Sequence, residues 1–85
     1  MVKFTHVLTL EDGLHARPAG LLVKAAQGYT QKIIVSKGDK KADAKRLFSV
    51  LSLRAVQGDQ VTIYVDGDDA RDAAIKLRDF FRSSL

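Results

Sequence analysis

The only proline of this chain, Pro18, stands where one apolar periodicity gives way to another. Upstream, Val2, Phe4, His6, Leu8 and Leu10 alternate with Lys3, Thr5, Val7 and Thr9. A period of two over that length reads as a half-buried strand, with His6 on the apolar face and tucked against the core. Downstream, Ala19, Leu22, Val23 and Ala26 recur at i, i+3, i+4 and i+7, the core stripe of a helix from Ala16 to about Gln27, with Gly28 as its expected C′ stop. Glu11-Asp12-Gly13 between them reads as a turn. Proline is tolerated in the first turn of a helix, because the N–H it lacks would have no intrahelical acceptor and its φ already suits a helix. Pro18 therefore places the strand-to-helix junction just before it. The backbone N–H groups of Ala16 and Arg17 are left pointing outward at the positive end of the helix dipole. Such a terminus favours a nearby anion by roughly 0.3–1 kcal/mol when exposed.

The rest of the chain keeps switching between the same two periods. Lys32-Ile33-Ile34-Val35-Ser36 reads as a strand with Ile33 and Val35 facing in. Lys37-Gly38-Asp39-Lys40 is a tight-turn signal leading into a short polar strand over 40–43, whose lysines suit a defended sheet edge. Over residues 46–53 a short helix has Val50 and Leu53 for its core stripe, with Leu47, Phe48 and Leu51 on another face. That is more apolar surface than one buried face requires. The excess is either a protein-contact patch or the mark of a well-buried helix. Gln57-Gly58-Asp59 is a turn, and Val61, Ile63 and Val65 alternate in a last strand. Gly67-Asp68-Asp69 then offers a turn and a carboxylate cap, from Asp68 or Asp69, for an amphipathic helix from Ala70 to about Ser84. Its core stripe is Ala73, Ala74, Leu77, Phe80 and Phe81, while Arg71, Asp72, Lys76, Arg78 and Asp79 form a solvated face. The order β-α-β-β-α-β-α predicts an α+β fold, with helices gathered on one face of an antiparallel sheet. Its 85 residues make one domain, 1–85, with a modest core.

Composition removes several classes of function. With no cysteine there is no disulfide framework, thiol chemistry or cysteine zinc site. The two histidines, His6 and His15, have no carboxylate pattern of a metal site around them, so neither a metal nor a cofactor is expected. The apolar runs fall far short of the ~20 residues of a membrane span, and the N-terminus has no signal-peptide pattern. Membrane insertion is not expected, and a cytoplasmic location is. A formal net charge of +4 asks for an acidic partner, whether nucleic acid, anionic membrane or protein. Only Phe4, Tyr29 and Tyr64 are strand or loop aromatics, and no RNP or KH-type glycine motif is present, which argues against nucleic acid. A small enzyme using His15 as general base would need a second suitable titratable group and an enclosed pocket, and neither is evident.

At the helix opening the sequence sets an imidazole, His15, and a guanidinium, Arg17. They make a nucleophile beside a cradle for a phosphate-sized anion. The bland alternative is a histidine merely tolerated at a cap, because His-x-Arg-Pro is not diagnostic by itself. The whole stretch Gly13-Leu14-His15-Ala16-Arg17-Pro18-Ala19, however, resembles the active-site motif of HPr, the histidine-containing phosphocarrier of the bacterial phosphoenolpyruvate:sugar phosphotransferase system. The likeness extends to chain length, element order and the Leu47-Phe48 segment.

This resemblance implies an open-faced sandwich, a four-stranded antiparallel sheet covered on one face by three helices. It implies that His15 accepts a phosphoryl group on Nδ1 from enzyme I, which takes it from phosphoenolpyruvate, and passes it to sugar-specific IIA proteins. Such a chain is a stoichiometric carrier with a phosphohistidine intermediate, not an enzyme, and is expected to be a monomer. Neutral imidazole is a good nucleophile, and the Arg17 cation and the helix terminus both disfavour imidazolium. By the same resemblance Ala16 and Arg17 bind the phosphate, and Arg17 orients and stabilises it. The partner surface comprises Ala16, Arg17, Gly20, Leu21, Lys24, Lys45, Leu47, Phe48 and Leu51, with Arg46 as an added cation. Two positions depart from the family. Arg46 stands where many members carry a regulatory serine, so serine-kinase control there is doubtful; Ser49 and Ser52 nearby read as surface or capping residues. Arg54 stands where a glycine commonly follows the short helix, and it would be strained if the backbone there needs a positive φ. These departures leave room for a paralogue of a nitrogen or regulatory branch.

Overall fold

In the computed structural model, which describes all of residues 1–85, the predicted elements appear in the predicted order. They are β1 (Val2–Val7), α1 (Ala16–Gln27), β2 (Lys32–Lys37), β3 (Lys40–Asp43), α2 (Leu47–Leu51), β4 (Gln60–Asp66) and α3 (Ala70–Ser84). The strands form one sheet in the order β1-β4-β2-β3, every pair antiparallel. Register follows the alternation. Phe4 lies opposite Ile63, Ile63 opposite Val35 and Val35 opposite Ala42, so one row of apolar side chains crosses the whole sheet. The neighbouring row, Lys3-Tyr64-Ile34-Asp43, turns to the other face. The apolar face meets the stripes of the helices, where Leu22, Ile33, Val35, Val50, Leu53, Ile63 and Leu77 are wholly buried. This is the α+β arrangement that the patterning called for and the open-faced sandwich that the resemblance implied.

Three local expectations differ from the structure. The first strand stops at Val7 rather than Leu10, because Leu8 leaves the ladder to exchange backbone bonds with the 58–59 turn, Leu8 N–H to Asp59 O at 3.0 Å and Gly58 N–H to Leu8 O at 2.9 Å. Gly28 caps α1 but stays right-handed (φ −75°), since the helix closes in a tight turn with Gly28 N–H on the Ala25 carbonyl. Neither Asp68 nor Asp69 caps α3 with its side chain. Asp69 occupies the N-cap position in the left-handed region (φ 58°, ψ 27°), whereas side-chain capping requires the extended backbone. The acidic complement to the α3 dipole comes instead from Asp72 in the first turn. Of the predicted α3 stripe, Phe80 is only half-buried and the other four residues are buried.

Candidate functional site

Buried residues on either side present three exposed ones. Leu14 precedes His15-Ala16-Arg17 and Pro18-Ala19 follows them; the flanking residues are buried and the three between are exposed. Burying Leu14 beneath the turn and Ala19 in the first turn of the α1 stripe turns the intervening residues to solvent. His15 is the N-cap of α1, with extended backbone (φ −85°, ψ −168°), and its carbonyl accepts the Ala19 N–H at 2.9 Å. Its imidazole makes no capping bond, so the ring nitrogens are not committed to the helix. The N–H groups of Ala16 and Arg17 donate to no backbone carbonyl. Arg17 takes part in none of the chain's three ion pairs. An uncommitted nucleophile, two outward N–H donors and an unpaired guanidinium thus share one exposed turn. Chemically, that set can receive a phosphoryl group and hold its oxygens.

The turn is mounted on a loop that comes much later in the chain, at residues 55–56. The Leu14 N–H donates to the Ala55 carbonyl and the Gly13 N–H to the Leu10 carbonyl, each at 2.9 Å. Gly13 has φ 69°, and a Cβ there would lie 2.5 Å from the Ala55 oxygen and 2.7 Å from the Val56 Cα. No side chain fits. Sequence reasoning read Gly13 as part of a turn and did not find this close approach, because nothing local in residues 10–15 signals a contact with residues 55–56. The neighbouring Arg54 does adopt a positive φ, 50°.

The residues expected to meet partners fall into two groups. Arg17, Gly20, Leu21 and Lys24 are spaced i, i+3, i+4 and i+7, so they share one face of α1. The helix α1 packs against α2, which carries the second apolar segment. Phe48 is 83% exposed, Leu21 51% and Leu47 36%. Leu51, by contrast, is half-buried and packs against the core. Lys45 is half-buried, and its ammonium donates to the Tyr29 carbonyl at 2.7 Å, tying the start of α2 to the end of α1. Arg46 is exposed, its Nε 3.6 Å from the Asp43 carboxylate. Ser49 Oγ accepts the Asp43 N–H at 2.9 Å, and Ser52 Oγ donates to the Ser49 carbonyl at 2.6 Å, so both hydroxyls brace α2. A concavity of about 410 Å³ lies on the opposite, open side of the sheet beside Ile34 and Tyr64 and includes neither His15 nor Arg17. No helix is long and apolar enough to cross a membrane.

Comparison with known proteins shows the family and the fold. The family model described as "PTS HPr component phosphorylation site" matches residues 2–83. The chain is 44% identical over 66 residues to the phosphocarrier protein HPr of Haemophilus influenzae, covering 78% of each. It is 33% identical over 85 residues to the HPr-like protein Crh of Bacillus subtilis, covering 100% of both. A crystal structure of HPr-C-His from Thermoanaerobacter tengcongensis superposes with a TM-score of 0.91 at 37% identity, over 99% of this chain and 94% of that one. A second structure from the same organism, described as an HPr dimer, gives 0.75 at 37% identity, over 98% and 95%. With the fold, the exposed histidine turn and the full-length match in agreement, the chain belongs to the HPr family of phosphocarrier proteins of the phosphotransferase system.

Proposed function

We propose that this protein carries a phosphoryl group on Nδ1 of His15, taking it from enzyme I and delivering it to sugar-specific IIA proteins. The observation that carries the reading is the exposed, uncommitted imidazole at the opening of α1, beside the outward N–H groups of Ala16 and Arg17. The ring nitrogen attacks phosphorus as the donor's bond to it breaks, and the N–H groups and the Arg17 guanidinium take the phosphoryl oxygens. The same groups then hold the loaded state until a second acceptor attacks. Exposure suits a group that must be reached by two proteins in turn. Leu21, Leu47 and Phe48 give apolar contact with a flat partner face, and Lys24 and Arg46 steer an acidic one. The working form is a cytoplasmic monomer, and no cofactor enters the cycle.

A second reading, a carrier for a nitrogen or regulatory branch, is favoured by the full-length likeness to Crh and by Arg46 at the position of the family serine. One experiment addresses both. The protein is mixed with phosphoenolpyruvate and a catalytic amount of enzyme I from either system, and its intact mass is followed. The sugar-system enzyme should add one acid-labile, base-stable phosphate, and His15→Ala should take none while keeping its fold. Loading by the nitrogen-system enzyme alone would move the protein to the other branch, and equal loading of wild type and His15→Ala would remove His15 from the account.

A further inference from the structure

The loop that supports the His15 turn is itself fastened by a charge pair that the transfer chemistry does not use. Lys37, the last residue of β2, donates from Nζ to the Arg54 carbonyl at 3.0 Å and lies 3.1 Å from the Asp59 carboxylate. That carboxylate accepts the Val56 N–H at 2.9 Å. These bonds grip the chain on both sides of Ala55, whose carbonyl receives the Leu14 N–H. Arg54 sits in the left-handed region, φ 50°, which a residue bearing a Cβ does not favour unless its surroundings hold it there. Arg54 is exposed, so core packing of its own side chain does not supply that hold, and its carbonyl is the one that Lys37 binds.

We propose that Lys37 and Asp59 are positioning residues for His15: they hold Arg54 in its left-handed conformation, aim the Ala55 carbonyl at the Leu14 N–H, and so fix the turn that carries the imidazole. The proposal rests on the reading of His15 as phosphoryl acceptor. The Val56 N–H, and then Lys37, hold the Asp59 carboxyl below its ordinary pKa, so the carboxylate is charged throughout the neutral range. Both side chains are partly buried, at 31% and 28% exposure. The clamp also accounts for how this chain accommodates an arginine where the conformation suits glycine.

The test uses that last point. Glycine adopts positive φ readily, so Arg54→Gly should make the clamp dispensable. Single-turnover transfer from phosphorylated enzyme I is measured for wild type, Lys37→Met, Asp59→Asn, and Lys37→Met with Arg54→Gly. Misplacing a reacting group by a fraction of an ångström to an ångström slows its chemistry by large factors, so each single variant should lose on the order of tenfold in limiting rate. The half-saturating enzyme I concentration should not change, because no docking side chain has been altered. Adding Arg54→Gly to Lys37→Met should return the rate to within about twofold of wild type, because glycine takes the positive φ without the clamp. Hydrogen exchange at the Leu14 amide, read by NMR, should quicken in the single variants and recover in the double one. Wild-type rates in Lys37→Met and Asp59→Asn, or a loss that Arg54→Gly does not rescue, would overturn the clamp. Should wild type itself take no phosphate, the acceptor reading falls, while Leu14 exchange still decides whether the clamp holds the turn.

Discussion

His6 shows what a single buried nitrogen costs. It lies on the inward face of β1 with its ring edge-on to Phe81, centroids 5.4 Å apart at 67°. Its Nε2 is buried and has no hydrogen-bond partner. An unsatisfied buried polar atom costs about 1–3 kcal/mol, and an apolar group of similar shape escapes that cost. His6→Phe keeps the edge-to-face contact and removes the orphan. It should stabilise the fold by about 1 kcal/mol, a rise of roughly 4–8 °C in melting temperature for a domain of this size. A calorimetric scan showing a lower melting temperature would mean that Nε2 finds a partner in solution. The inward placement of His6 was readable from alternation alone, because a strand's period puts every second residue on one face. The missing partner was not, since it depends on what Phe81 and its neighbours present from another element. Arg54 and Gly13 divide in the same way. The resemblance flagged Arg54, but only the fold brings residues 55–56 against Gly13.

Among the elements, α2 carries the sharpest contrast in burial. Val50 is wholly buried and anchors the helix, while Phe48, two residues earlier, is 83% exposed. Truncating a residue that exposed leaves folding nearly unchanged, within about 0.5 kcal/mol. A central aromatic of an interface typically contributes 1 kcal/mol or more to binding. Phe48→Ala should therefore weaken binding to enzyme I by roughly tenfold, about 1.4 kcal/mol, at unchanged melting temperature. Isothermal titration checks the first half and a thermal melt the second. Unchanged affinity would place the partner surface elsewhere. The periodicity of residues 46–53 showed an excess of apolar surface but could not apportion it. The structure divides it, with Leu47 and Phe48 outward and Leu51 packed inward. Element ends were the least legible part. Gly28 and Asp69 are conventional capping residues by type, yet each takes a backbone conformation other than the one its type predicts. The carbonyls and N–H groups that decide such ends lie partly in other segments.

For the molecule as a whole, patterning was enough to order seven elements and to orient the sheet, because one face had to be apolar throughout. What it could not supply was the pairing of distant loops. The sheet order β1-β4-β2-β3 brings the entry to β4 alongside the exit from β1, and that adjacency sets Ala55 under Leu14. The histidine turn is thus a local motif held by a non-local contact. The most direct check of the account is NMR of the protein loaded from phosphoenolpyruvate by enzyme I, with the imidazole carbons and nitrogens of both histidines assigned. The account predicts a phosphorus coupling pattern that places the phosphate on Nδ1 of His15, with the His6 ring signals unchanged. Phosphate on His6, or on Nε2 of His15, would contradict it.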